Sequence, residues 1–302
     1  MGSEAGDTGE TQQKVITPSP SLSRTSVISL TLIAMIAFAA NSLLCRMALK
    51  YTTIDPASFT TVRILSGALV LWLIVTLRGG NRHLGGNWLS AMALFVYAAA
   101  FSFAYVSLST ATGALILFGA VQASMIGYGL FRGERLRGMR RAGFLIAACG
   151  LLALLLPGAS RPSLGGSLLM LASGAAWAVY SLRAKGAGDP TATTAGNFVR
   201  ALPLALGLSM FMLPSLSVDL AGLAYAALSG GTASGLGYII WYMALRGLSA
   251  IEASTVQLFV PVLAAGGGTL FLSEPVTLRL LLTGAAILGG VAMVVIHGKN
   301  AD

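Results

Sequence analysis

Charge is what this sequence has least of. Only 10% of its 302 residues are Asp, Glu, Lys or Arg, against 56% hydrophobic ones, where a soluble domain carries about 25% charged residues. That scarcity excludes an ordinary soluble domain, and a mean hydropathy of +0.81 points to a chain that is nearly all integral membrane protein. Cysteine is rarer still. Cys45 and Cys149 both sit in apolar runs without a CxxC or CxxH neighbour, so neither a metal site nor a disulfide framework is indicated, and no cofactor is implied. The ten acids are Glu4, Asp7, Glu10, Asp55, Glu134, Asp189, Asp219, Glu252, Glu274 and Asp302. None lies deep in an apolar run; Glu252 comes nearest. His83 and His297, the two histidines, lie at loop or span ends. Proton-driven pumps usually carry an intramembrane acid or histidine, so the shortage favours a facilitator or substrate-gradient carrier over an obligate proton antiporter. With no Ser/His/Asp set, paired carboxylates or metal cluster in any span, an enzyme is not expected. The loops are too short for a signalling receptor.

What the sequence has is long apolar runs. A helix of about 20 apolar residues spans a bilayer, and ten such spans can be drawn, at 26–49, 56–77, 88–108, 111–131, 142–158, 164–184, 192–213, 218–245, 249–272 and 277–297. Most connections are too short for an inserted soluble domain. Residues 1–25 read as a disordered cytoplasmic tail and 298–302 as a second, short one. The first apolar run is too long for a signal peptide and has no clear cleavage site. The net charge of +9 does not indicate nucleic acid, because the basic residues lie mostly in short loops, where they set topology. With the amino terminus inside, 13 of them are cytoplasmic and four external (Arg46, Lys50, Arg161 and Arg279). RGERLRGMRR, at 132–141, is the strongest cytoplasmic signal, and it also suits anionic lipid.

Two arginines fall within spans. In FTTVRIL, at 59–65, Arg63 interrupts a run otherwise fit for lipid, where a charge costs several kcal/mol. Shifting the chain by 137 residues places FTTVRIL on GNFVRAL, Arg63 on Arg200, Arg46 on Arg183, Phe101 on Tyr238 and Tyr105 on Tyr242. After a three-residue insertion near 246–248 the offset becomes 140, and Phe131 and Glu134 fall on Phe271 and Glu274. The pattern predicts an all-α membrane protein of ten transmembrane helices, in which five helices at 26–158 are repeated at 164–297. Because five is odd, the second copy is inverted, an arrangement of secondary transporters with a site near the midplane. By count along their helices, Arg63 and Arg200 each lie about seven residues, or roughly 10 Å, from a membrane face, within reach of the interface. A structural or gating role is expected for Arg63, Arg200, Arg46 and Arg183; binding a substrate carboxylate in passage is the alternative.

Those residues carry a resemblance. The VR of spans two and seven, AYVSL and WYMAL at the ends of spans three and eight, and FRGERL and FLSEPV after spans four and nine resemble the drug/metabolite transporter superfamily, in its ten-helix branch with two EamA repeats. The resemblance covers about 26–297 and is nearest in character to bacterial exporters of aromatic and other neutral amino acids. It implies a bacterial inner-membrane protein with both termini cytoplasmic, exporting small metabolites by alternating access. The central cavity it implies is lined mainly by spans 1, 3, 4, 6, 8 and 9.

The spans offer residues for such a cavity. Tyr97, Phe101 and Tyr105 share one face of span three, Tyr238, Trp241 and Tyr242 lie on span eight, and Trp177 and Tyr180 on span six. Asn41, Gln122 and Gln257 are uncharged polar groups within spans that contact either substrate or another helix. Helix packing is the alternative for the aromatic set. Trp72, Trp88 and Tyr225 suit the membrane interface better. Without deep charge, the expected solute is neutral or zwitterionic, amino acids first; a multidrug or other-metabolite exporter of the same fold is the alternative. Hinges are expected at Pro203 and Pro261, which remove helix hydrogen bonds, and at Gly231 and Gly267 in the glycine-rich stretches.

Overall fold

The computed structural model describes residues 23–78, 84–133, 138–156, 162–184, 189–245, 247–248 and 256–296, and among them there are helices and turns but no strand. Both predicted tails beyond Ser23 and Ile296, and with them Glu252, Glu134, His83 and His297, lie outside the described residues. The first seven helices are α1 (Arg24–Tyr51), α2 (Pro56–Leu77), α3 (Trp88–Tyr105), α4 (Thr110–Phe131), α5 (Met139–Leu155), α6 (Leu164–Ala184) and α7 (Pro190–Phe211). A short 3-10 turn, Leu213–Ser215, leads to α8, which runs as Leu220–Leu228, continues as a π-helix over Ser229–Leu236 and resumes as Gly237–Leu245. Helices α9 (Phe259–Leu272) and α10 (Leu278–Ile296) complete the chain. Among the described residues, five helices are long and apolar enough to cross a membrane: Arg24–Tyr51, Pro56–Leu77, Trp88–Tyr105, Thr110–Phe131 and Leu164–Arg183.

Local chemistry explains where the helices start. Ser23, Asp55, Asn87, Ser109, Asp189 and Asp219 each accept a backbone N–H of the first turn they precede, which removes orphan donors that would otherwise face an apolar medium. In α2 and α7 the cap is followed by Pro56 and Pro190, whose missing N–H is harmless at the first helical position. The four described acids, Asp55, Asp189, Asp219 and Glu274, all serve helix ends or the turns beside them.

Packing joins the first half of the chain to the second. Helix α2 packs on α7 and α5 on α10; α3 packs on α6 and α7, and α4 on α6 and α9, while α1 packs on α8 and α9 and α2 on α8. The α5–α10 contact is close because Gly143 and Gly290 face each other, and a Cβ on either would collide with the other's carbonyl oxygen. Trp72 and Trp88 are exposed on the outside of the bundle, and Tyr225 is partly buried against the core.

One expected hinge takes a different form. Helix α9 begins at Phe259 after a turn at Gln257–Leu258, and Pro261 is its third residue. There a proline removes no interior hydrogen bond, because Val260 N–H already occupies the Gln257 carbonyl. Pro261 therefore starts a helix rather than kinking one. Pro203 lies inside the continuous α7.

Candidate functional site

Where the two halves meet, α1, α3, α4, α6 and α8 surround a narrow cavity that leaves about 20 Å3 for the centres of water-sized molecules. Its wall comprises Phe38, Asn41, Ser42, Tyr97, Phe101, Leu117, Phe118, Trp177, Ala233 and Tyr238. Five of these are candidates from the sequence: Asn41, Tyr97, Phe101, Trp177 and Tyr238. The rings pack edge-on and tilted. Trp177 lies 4.8 Å from Tyr97 and 5.0 Å from Tyr238 between centroids, and Phe38 meets Trp177, Tyr238 and Trp241 at 6.2, 6.1 and 5.9 Å. Such offset contacts are favoured by the ring quadrupoles.

The remaining aromatic candidates stand behind this wall. Tyr105 is fully buried, packs edge-on against Phe101 at 4.7 Å and donates to the Thr110 carbonyl at 3.4 Å. Tyr180 stacks behind Trp177 at 5.7 Å. Trp241 reaches the wall only through Phe38, and Tyr242 is half-buried on the same helix. Gln122 and Gln257 are buried with interactions of their own and are not part of the wall. The wall residues not expected from the sequence are Phe38, Ser42, Leu117, Phe118 and Ala233. Only Phe38 and Ser42 carry a signal: with Asn41 they fall at i, i+3 and i+4, one face of α1.

A polar network underlies the aromatic wall. Ser229 Oγ donates to Asn41 Oδ1 at 2.7 Å, Asn41 Nδ2 donates to Tyr97 Oη at 3.4 Å, and Arg63 Nη2 donates to the same Oη at 3.1 Å. Arg63 Nε donates to Ser234 Oγ at 3.3 Å. The π-helical turn of α8 makes this network reachable. Residues five apart lie about 140° apart around an α-helix of 3.6 residues per turn, but an i→i+5 turn brings them close to one line. Ser229 and Ser234 are five apart, and both face the network.

Arg63 departs from its expected position. It does not reach for a membrane face; it is 2% exposed, and its guanidinium lies 5.2 Å over Tyr97 and 4.9 Å over Phe101. Depth along a helix can be counted from its end, but direction around it cannot, and α2 turns Arg63 inward against α3 and α8. Its partner in the repeat behaves otherwise. Arg200 is half-buried and donates to the Gly85 and Gly196 carbonyls at 2.6 and 2.9 Å. Arg183 donates to Ser90 Oγ and Asn87 Oδ1, both at 3.1 Å.

Arg46 makes a further link, at the end of the bundle that holds the C-terminus of α1. Its Nε meets Glu274 Oε1 at 3.2 Å, and its Nη1 donates to the Tyr105 and Val106 carbonyls at 2.7 and 2.9 Å. Glu274 Oε2 accepts the Thr110 N–H at 2.7 Å. Together they join α1, the α3–α4 turn and the segment after α9. Tyr51 Oη adds a bond to the Leu272 carbonyl at 3.0 Å. Gly231 and Gly267 lie at helix contacts: a Cβ on Gly231 would meet Val70 Cγ2 at 3.2 Å, and one on Gly267 would meet the end of the Leu43 side chain.

Comparison with known proteins fits this architecture. Residues 164–296 match the model of the EamA-like transporter family. A protein of Pseudomonas aeruginosa, "Uncharacterized protein PA1977", is 58% identical over 266 residues, covering 88% of this chain and 93% of the relative. A crystal structure superposes with a TM-score of 0.64 at 22% identity, covering 93% of this chain and all of the other. At that identity the likeness is one of fold.

Proposed function

We propose, because residues 164–296 match the EamA-like transporter family and the apolar helices make the chain a multi-pass membrane protein, that it exports small neutral or zwitterionic metabolites, amino acids first and aromatic ones among them, by alternating access through the cavity between its halves. The observation that carries this reading is the wall itself. Six aromatic rings and Asn41 meet in one cavity where α1, α3, α4, α6 and α8 converge, a surface suited to a solute with a flat apolar body and a few polar atoms.

The helix pairing supports ten spans in two inverted halves. Exchange of α1–α5 with α6–α10 turns α3 on α6 into α8 on α1, α4 on α6 into α9 on α1, and α3 on α7 into α8 on α2, all of which occur. Loop charge supports cytoplasmic termini in the inner membrane of a bacterium. The placement of all four described acids at helix ends supports flux driven by the substrate's own gradient. The test is efflux from proteoliposomes loaded with radiolabelled phenylalanine, with no ion gradient imposed. Saturable efflux that unlabelled neutral amino acids inhibit is the expected result. Efflux inhibited by lipophilic cations and not by amino acids would replace this reading with a multidrug exporter.

In this topology the Arg46–Glu274 link closes the outer side. Cys45, fully buried on α1 beside Arg46, reports its opening. In a Cys149→Ser background, Glu274→Gln is expected to raise the labelling rate of Cys45 by a membrane-impermeant maleimide at least about tenfold, because hydrogen bonds to a charged group contribute roughly 1.5–3 kcal/mol and about 1.4 kcal/mol is a factor of ten. An unchanged rate would show that the link does not hold that side shut.

A further inference from the structure

We propose that the cavity has a hydrogen-bond-donating pole, formed by Tyr97 and Tyr238 and polarised by Arg63, that recognises the carboxylate of the solute and makes no demand for an amine. The proposal rests on reading this cavity as the substrate site.

The pole follows from how the hydroxyls are used. A phenol has one proton to give and lone pairs that accept. Tyr97 Oη already accepts from Arg63 Nη2 and from Asn41 Nδ2. With its acceptor capacity taken, what Tyr97 has left to offer the cavity is its proton. Tyr238 stands on the same wall and is 3% exposed; its Oη makes no hydrogen bond within 3.5 Å among the described residues, and the hydroxyl it interacts with is that of Tyr97. A buried hydroxyl left without a partner is costly, and a solute atom entering the cavity supplies one.

Behind these hydroxyls the field is positive. Among the described residues Arg63 is buried, its Nη1 has no hydrogen-bond partner, and the ion pair is Arg46–Glu274. The guanidinium is held over the faces of Tyr97 and Phe101, and no described carboxylate pairs with it. In a medium of low dielectric such an uncompensated cation acts over several ångströms, and it strengthens the Tyr97 hydroxyl as a donor through the bond they share. Arg63 is a positioning residue here, because Tyr97 and Phe101 stand between it and the cavity. The rest of the lining holds no charge: Phe38, Phe101, Leu117, Phe118, Trp177 and Ala233 are apolar, Asn41 and Ser42 are neutral, and no acid lines the cavity. A carboxylate finds donors and a positive field; an ammonium finds ring faces and neutral polar groups but no anion.

Three probes that share one ring separate these chemistries: phenylalanine, 3-phenylpropionate without the amine, and phenethylamine without the carboxylate. Calorimetric titration of the full-length protein in detergent is expected to give phenylalanine and 3-phenylpropionate affinities within about threefold of each other and phenethylamine at least about tenfold weaker. Tyr97→Phe keeps the ring and removes the hydroxyl, and should erase the preference for the carboxylates; Tyr238→Phe should reduce it. Phenethylamine binding as tightly as 3-phenylpropionate would overturn the proposal, as would a preference that survives both variants or no binding of either carboxylate. Binding and export fail separately. Carboxylate binding without efflux of any probe would leave the pole standing and sink the transport reading. Saturable phenylalanine efflux that phenethylamine inhibits and 3-phenylpropionate does not would do the reverse.

Discussion

Arg63→Lys lowers folded yield and flux together. The guanidinium donates from Nε to Ser234 on α8 and from Nη2 to Tyr97 on α3, while its own backbone belongs to α2. It therefore ties three helices at one point. Lysine is a compact point charge and cannot reproduce a fork that faces two partners while stacking on two rings. Each hydrogen bond to a charged group contributes roughly 1.5–3 kcal/mol, so loss of both corresponds to about 3 kcal/mol or more. The expected result is a clear fall in melting temperature and in the amount of folded protein extracted from membranes. Flux per folded molecule should drop at least about tenfold, because Tyr97 loses the donor that orients it. The measurements are thermal unfolding in detergent and efflux normalised to protein. Lost transport with unchanged melting and yield would mean that Arg63 serves the solute alone and that the three-helix tie is immaterial.

Gly230→Ala should be nearly as damaging, and Gly231→Ala should not. The two glycines are neighbours in the π-helical turn, yet they face different surroundings. A Cβ on Gly230 would overlap the Arg63 carbonyl oxygen and the Ser66 hydroxyl of α2. Backbone cannot move aside as a flexible side-chain tip can, so α2 and α8 would separate, and overpacking of this kind costs about 1–3 kcal/mol. The separation would also pull Ser234 from Arg63 and Ser229 from Asn41. A Cβ on Gly231 meets Val70 Cγ2 at 3.2 Å and the Ser66 carbonyl oxygen at an ordinary 4.0 Å, and a shift of a few tenths of an ångström relieves the first. Melting curves of the two variants side by side give the answer. Equal destabilisation, or none from Gly230→Ala, would contradict the close contact as its cause.

The helices were legible where the sequence punctuates them. Asp55–Pro56 and Asp189–Pro190 mark the starts of α2 and α7, and Asn87 and Ser109 mark those of α3 and α4. The break in span nine was less so: Gln257 and Leu258 are ordinary helix formers, yet the turn sits there, with Phe259 and Val260 between it and the proline. The site was legible for Tyr97, Phe101, Trp177 and Tyr238 because aromatic rings are few and fall at helical spacing. Leu117 and Phe118 are apolar residues among dozens and carry no mark of facing a cavity. Ser229 and Ser234 were hidden for another reason. On a regular helix they would face different directions, and only the wider turn aligns them. Arg63 was misplaced because counting from a helix end gives height without azimuth.

The π-helical turn also bears on direction. The offset of 137 that pairs Phe101 with Tyr238 sets residues 229–236 against 92–99, which lie in the regular helix α3. The two halves are therefore unequal at the point where they grip the same cavity. In the alternating-access carrier proposed above, two identical inverted halves would make the state open to one side and the state open to the other equivalent by a two-fold rotation and equal in free energy. Inequality at the grip would make the empty protein rest on one side. The solute gradient alone would still set which way net flux runs, but the half-saturating concentrations on the two sides would differ. Such a molecule would be a kinetic rectifier.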